Sequence, residues 1–500
     1  MSGRLWPLIT LVLAASLVGC ISAEQDVATP TAPPTPIELT TPTVAPPAST
    51  PTPTATPARS SAGRPDIGDP YYPWTGNTGY DVTHYALDLR YDPDTDVLEG
   101  VATIEAVAEQ RLASFFLDFQ GLAISALMVN GEAARYARSD GELQIVPAAP
   151  LDAGDEFVVE VTYAGVPEPA SGPLAEDVGW LTTDDGAFVL SEPTGAPTWF
   201  PVNDHPRDKA SYHFQITVPD GLQAIANGTL VETASAGDGW VTWTYDAPSP
   251  MASYLAMVAI GRFEFVERRA ETGLLIRDAY DADFADDAET NFARTAEMVS
   301  FFEEILGPYP FEVYGNAVLD FNWGGTALET QTFSIFDRNY ARRGISAEPT
   351  IAHELAHQWF GNSVSPASWR DIWLNEGFAT YAQWLWVEHS TGISIDEQIE
   401  FGVDPNNPRL MLPPPGDPGP DRLFSGSVYI RGALALHALR LTIGDEPFFE
   451  TLRCYLATHR DGTASTADFI AVAEAVSGRS LDDFFQAWLY DEAVPDLPSR

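Results

Sequence analysis

Hydrophobic and polar residues alternate with period two over long stretches of residues 80–264. Tyr85, Leu87, Leu89 and Tyr91 are interleaved with Ala86, Asp88 and Arg90. The same period runs through Phe157, Val159, Val161 and Tyr163, through Tyr212, Phe214, Ile216 and Val218, and through Val241, Trp243 and Tyr245. Successive side chains of a strand point to opposite faces, so the alternation predicts strands with one buried face. The Asn130-Gly131 and Asn227-Gly228 pairs supply turn signals between them. After Tyr280 the period changes. Phe292, Met298, Phe301, Phe302, Ile305 and Leu306 fall at helical spacing and are stopped by Gly307-Pro308. A mixed segment covers 311–340, and helical patterns run from there to the end. The pattern predicts an α+β multidomain chain, with an N-terminal antiparallel β domain over residues 65–267 and a mainly helical domain over 268–500.

The ends add a location. Arg4 precedes an apolar run over 8–18, and small residues follow, the order of a secretory signal. Its last residues, Leu17-Val18-Gly19-Cys20, resemble the bacterial lipobox, in which the cysteine is lipidated after cleavage. Residues 1–20 are therefore expected to be a lipoprotein signal peptide, with an uncleaved anchoring helix as the alternative; either tethers the chain outside the cytoplasm. Residues 21–64 are rich in Pro and Thr, with too few large apolar side chains to offset ordering entropy, and are expected to form an extended stalk. The plan is that of an exported cell-surface protein, lipid-anchored to the bacterial membrane at Cys20.

Charge excludes one class of partner. Residues 1–64 carry three basic (Arg4, Arg59, Arg64) and three acidic side chains (Glu24, Asp26, Glu38), so the whole net charge of −45 falls on residues 65–500. The single lysine is Lys209. Neutralising phosphates needs clustered Lys and Arg, so nucleic-acid binding is excluded, whereas cationic ligands, including peptides with an ammonium terminus, are favoured. With Cys20 taken by the anchor, Cys454 is alone and is expected to pack as a small buried apolar residue.

The candidate chemistry lies in the helical domain, in His353-Glu354-Leu355-Ala356-His357-Gln358-Trp359. Residues four apart share one helix face, so His353 and His357 can reach one metal ion. Glu354 then stands beside that ion and can take a proton from a zinc-bound water. An H-E-x-x-H match arises by chance in roughly one such chain in a hundred. A zinc site that keeps an open position needs a third protein ligand. Phe360 stands where a three-histidine motif wants glycine, but Glu376, separated from His357 by eighteen residues, opens a second helix through Tyr381, Leu385 and Val387. His353, His357 and Glu376 are the expected ligands of one zinc ion, and Glu354 the general base.

This motif, its eighteen-residue gap and Asn375-Glu376-Gly377-Phe378-Ala379-Thr380-Tyr381 resemble the zinc aminopeptidases of the aminopeptidase N type, gluzincin metallopeptidases. Segments beginning at Trp199 (WFPVNDHPRDKASYHFQITVP) and Leu306 (LGPYPFEVYGNAVLD) agree in order, and the likeness spans roughly 80–490. The resemblance implies a thermolysin-like fold for the second domain, peptides with a free N-terminus as substrates, and further roles. Glu329, in the stretch matching the family's Gly-Ala-Met-Glu-Asn signature, would grip the α-amine; only Ala327 and Glu329 match, and Thr326, Leu328 and Thr330 depart. Glu192 would be a second amine-binding acid, against the alternative of a solvated loop carboxylate. Tyr429 would steady the oxyanion, and Arg431 would support the fold. Many relatives continue for hundreds of residues into a helical domain that caps the cleft. This chain stops at Arg500, so a short form with a more open site is expected. Two other readings remain: a zinc endopeptidase, and a non-catalytic surface lipoprotein that binds peptides.

Overall fold

The computed structural model describes residues 61–173, 177–322, 324–342 and 347–499. The signal, Cys20 and most of the stalk lie outside the described residues. The last residues of the expected stalk are part of the fold: Ser61–Ala62 pairs with Leu112–Asp118 and Gly63 donates to Ser114 O at 2.9 Å.

The alternating segments form strands. An eight-stranded sheet places Tyr80–Asp92 at its centre, between Val97–Ala108 and Lys209–Pro219. Tyr85, Leu87, Leu89 and Tyr91 are all at most 1% exposed. Each such burial stabilises the fold by about 1.5–3 kcal/mol. All pairings in this sheet are antiparallel except that between Tyr80–Asp92 and Lys209–Pro219, which is parallel. Asn130-Gly131 closes a hairpin between Ala123–Val129 and Glu132–Ala133, with both φ angles positive, at 53° and 75°. Asn227-Gly228 closes none, because the strands on either side, Gln223–Ala226 and Thr229–Gly237, belong to different sheets. Asn227 is instead fully buried; its Nδ2 donates to Leu255 O and Gln331 O at 2.9 and 2.7 Å, tying the β domain to the segment after Glu329.

The expected boundary between residues 267 and 268 falls inside a strand. Phe263–Arg269 and Leu275–Asp281 form a hairpin whose second strand runs parallel to Asn316–Leu319, followed in the sheet by Ser334–Asp337 and the short edge strand Ala327–Leu328. The hairpin therefore belongs to the sheet of the helical domain. Four helices of this domain matter below: α1 (Thr295–Leu306), α2 (Glu348–Ala356), α3 (Trp373–Thr391) and α4 (Gly426–Ile443). The helical stretch expected from Phe292 is broken. A short helix ends at Asn291 and α1 begins at Thr295, because Phe292 turns inward to pack on Phe336, ring centres 4.9 Å apart.

Helices α3 and α4 cross at a glycine pair. A Cβ on Gly377 would lie 3.0 Å from Gly432 Cα, so the two backbones touch there. Gly377 follows Glu376 and Gly432 stands three residues after Tyr429, so the crossing brings those two side chains to one place. Arg431 is fully buried and donates to the carbonyls of Met411, Ala487, Trp488 and Asp491, a structural role as expected. Cys454 is buried, as expected.

Candidate active site

Three side chains from α2 and α3 converge on one point. His357 Nε2 lies 3.1 Å from His353 Nε2 and 3.4 Å from Glu376 Oε2, and His353 Nε2 lies 3.2 Å from Glu376 Oε2. Two donors each about 2.0–2.1 Å from a tetrahedral ion lie about 3.3 Å apart. The three separations match that spacing, so the donor set fits zinc. A second cluster, Glu329, Glu354 and His357, also brings its donor atoms within 4.8 Å of one another. The histidine tautomer decides between them. His357 Nδ1 faces Phe360 O at 3.1 Å, and a carbonyl can only accept, so Nδ1 carries the proton and Nε2 offers the lone pair. That lone pair points at His353 and Glu376.

Local chain geometry serves this arrangement. Helix α2 ends at Ala356 rather than running through Trp359. Gln358 N and Trp359 N bond three residues back, to Leu355 O and Ala356 O, which tightens the last turn and brings Phe360 O round to His357. The far side of this turn holds Glu329. Gln358 Nε2 donates to Glu329 O at 3.2 Å and Asn362 Nδ2 to the same oxygen at 2.6 Å, while Thr332 N donates to Gln358 Oε1 at 2.9 Å.

Glu192, Glu329, Glu354 and Tyr429 join the three ligands around one cavity of about 330 Å³. Glu192 comes from the β domain, just past the strand Ala187–Leu190, and is 2% exposed, so it is no solvated loop carboxylate. Glu192 Oε1 and Glu329 Oε1 are buried acceptors with no hydrogen-bond partner among the described residues. Burial raises Glu192 well above the usual carboxylate range, and the charges of Glu329 and Glu376 raise it further. Burial also raises Glu329 and Glu354, with His357 pulling both the other way. At Glu376 burial is outweighed by neighbouring His357 and by the hydrogen bonds of both histidines, which hold it at about 2. Tyr429 stacks on His353 at 6.0 Å between ring centres. Burial first, then the nearby carboxylates, raise its phenol well above 10, so it stays a hydrogen-bond donor at neutral pH.

Two further histidines lie away from the cavity. His205 is fully buried against Asp69 at 3.2 Å, and His437 reaches Asp396 at 3.0 Å. Trp386 is core, but Trp384 lines the cavity as well as packing. The sequence pattern does not mark Gln383 and Tyr340, which also line it, or the cross-domain contacts of Lys209. Lys209 Nζ donates to Asn362 O, Ser363 O and Gly462 O at 2.8, 2.9 and 3.3 Å, clamping the loop after α2. Its being the only lysine of the chain was the available signal.

Comparison with known proteins assigns the family. Residues 81–255 match the peptidase M1 N-terminal domain and residues 291–488 the peptidase family M1 domain. The crystal structure of an M1 zinc metallopeptidase from Deinococcus radiodurans superposes with a TM-score of 0.79 at 32% identity, over 87% of this chain and 99% of that one. A mutant M1 zinc metallopeptidase from the same organism, bound to a Tyr-Ser-Ala substrate, gives the same values. The chain belongs to the M1 family of zinc metallopeptidases, and its cofactor is zinc. Among curated relatives, the glutamyl aminopeptidase of Bos taurus is 27% identical over 457 residues, 83% of this chain and 47% of that protein. Aminopeptidase M1 of Arabidopsis thaliana is 28% identical over 341 residues, 63% of this chain and 38% of that protein. The chain thus spans half or less of these two curated relatives. Both the β-domain-first architecture and the gluzincin family expected from the sequence are borne out.

Proposed function

We propose that this chain is a zinc-dependent aminopeptidase that releases N-terminal amino acids from peptides. One observation carries the reading: Glu192 Oε1 and Glu329 Oε1, two buried carboxylate oxygens with no hydrogen-bond partner among the described residues, line the same cavity as the ligand triad, and the nearest basic side chain to either is His357, its Nδ1 4.0 Å from Glu329 Oε1. Buried charges of one sign without a partner are costly, and an ammonium group supplies the missing charge and the hydrogen bonds. A cation fixed at that distance from the reacting centre limits the cut to the first peptide bond. Named relatives support the class, one being an aminopeptidase and another a structure holding a tripeptide substrate.

The roles follow from position. His353, His357 and Glu376 hold zinc. The bound ion supplies a Lewis acid and makes a water molecule more acidic. Glu354, raised by burial above the usual carboxylate range, takes the proton of the attacking water and returns it to the leaving amine. Tyr429 donates its phenolic hydrogen to the developing oxyanion. Glu329 and Glu192 hold the substrate ammonium. An endopeptidase would leave both carboxylates unpaired, and a non-catalytic binder would not need Glu354 beside the triad.

The test uses the full chain and one peptide series, half with free and half with acetylated N-termini, read by mass spectrometry. Stepwise loss of single residues from the free set alone is expected. Internal cuts in both sets would transfer the assignment to an endopeptidase, and zinc-loaded protein that cuts neither would make it a binding protein.

The proposal includes the location. The apolar run over 8–18 and the LVGC ending support export and lipid anchoring at Cys20. Cys20→Ser should abolish fatty-acid labelling; labelling at the unaltered level would reject the anchor.

A further inference from the structure

The ligand triad is oriented by a second layer, and that layer is held from the other domain. Phe360 O fixes the tautomer of His357. Gly361, the next residue, bends back with φ of +111°; a Cβ there would lie 3.0 Å from Asn375 Nδ2 and 3.4 Å from His357 Nδ1. The Gly361 peptide is therefore wedged between a ligand and Asn375, the residue before the ligand Glu376.

Into this wedge reaches Tyr254, from the β-domain turn Ser253–Leu255. The side chain is fully buried. Its hydroxyl donates to Gly361 O at 3.3 Å and accepts from Asn375 Nδ2 at 3.3 Å. One oxygen atom thus joins the segment that orients His357 to the residue that precedes Glu376. The ring itself is anchored. It packs edge-on against Trp369 at 5.1 Å, and the preceding Ser253 donates to Asp204 Oδ1 at 2.6 Å. Ser365 Oγ gives Gly361 O its second bond, at 2.7 Å.

We propose that Tyr254 is a positioning residue of the metal centre, through which the β domain sets how tightly zinc is held without touching the ion. The proposal rests on the zinc assignment above. Groups that orient metal ligands typically change affinity by about 10–100-fold when removed. Tyr254 acts one bond further out, so the low end of that range applies.

Tyr254→Phe keeps the ring on Trp369 and removes only the hydroxyl. In the full zinc-loaded chain, zinc transfer to an excess of a chromogenic chelator should run about 10-fold faster than in the unaltered protein. The melting temperature should also fall further for the zinc-loaded form than for the metal-free form. A merely structural tyrosine would lower both melting temperatures equally and leave zinc release unchanged, and that result would overturn the proposal. Should Tyr254→Phe not accumulate as folded protein, Ser365→Ala removes the other hydroxyl from Gly361 O and must also speed release; an unchanged rate there overturns the proposal too. An unaltered chain that binds no zinc would instead overturn the zinc assignment itself, and this inference with it.

Discussion

Replacing Glu329 with glutamine removes a negative charge and little else. The residue is 2% exposed, and its position is set through its backbone carbonyl by Gln358 and Asn362 rather than through its side chain. The amide therefore keeps the shape and the anchors. Losing a hydrogen bond to a charged group costs about 1.5–3 kcal/mol, and truncating one partner of a buried charge pair about 2–5 kcal/mol. The low end of these ranges applies, for two reasons. Glu192 faces the same cavity and still holds the ammonium, and removing the Glu329 charge relieves a repulsion that raises Glu192. A loss of about 2 kcal/mol corresponds to roughly 30-fold in kcat/KM. The same coupling makes the double replacement with Glu192→Gln cost more than the sum of the two single ones. The assay pairs kcat/KM on a free-amine peptide with the inhibition constant of its des-amino analogue, at verified zinc occupancy. Only the first should change. If both weaken by the same factor, Glu329 supports the cleft generally and the amine assignment fails.

Glu354→Gln should lower turnover by at least about 100-fold while zinc content, measured by atomic absorption, stays at one ion per chain; unchanged turnover would refute the general-base role. Tyr429→Phe should reduce kcat by about 100- to 1,000-fold with KM little altered, since a donor aimed at the oxyanion acts mainly in the transition state; steady-state kinetics within twofold of the unaltered chain would exclude that role. Lys209→Met takes an ammonium donor from three carbonyls of the catalytic domain, of which Asn362 O and Gly462 O keep bonds from Ser365. A loss of about 2–3 kcal/mol is expected by urea denaturation, and an unshifted midpoint would show that the clamp contributes nothing.

How far the sequence speaks depends on whether a feature is local. His353, His357 and Glu376 are legible because a four-residue helical step and a known gap fix their geometry without knowledge of the rest. The strand faces are legible because period two is a property of a single segment. What escapes depends on neighbours far along the chain. The hairpin from Phe263 to Asp281 straddles the boundary read from the sequence, between residues 267 and 268, because a local pattern does not show which sheet a strand joins; its parallel pairing with Asn316–Leu319 does. Asn227-Gly228 has the composition of a hairpin turn, yet the flanking strands join different sheets and the asparagine bonds across the seam. Helix α2 carries no residue that forbids continuing to Trp359. Its early end follows from the bonds that turn Phe360 O toward His357, and those form only once the loop is held.

That dependence on neighbours has a consequence for how the two domains work. The carboxylates proposed to hold the ammonium come from opposite sides of the seam, Glu192 from the β domain and Glu329 from the strand edge beside α2. The distance between them, and from each to the triad, is therefore no more constant than the seam itself. Among the polar groups that cross the seam, four lie beside the site: Asn227 to Gln331 O, Gly228 N to Thr332 Oγ1 at 2.7 Å, Lys209 to the loop after α2, and Tyr254 to Gly361 O. Apolar packing alone tolerates small slips, whereas a buried hydrogen bond that loses its partner costs about 1–3 kcal/mol, so these contacts penalise any sliding of one domain on the other. All four reach the segments 329–332 or 361–363, the stretches that carry the glutamate proposed to bind the amine and that flank the helix of His353 and His357. On this reasoning the β domain is a working part of the active site, and a catalytic domain separated from it would lose one amine ligand and the reference frame for the others.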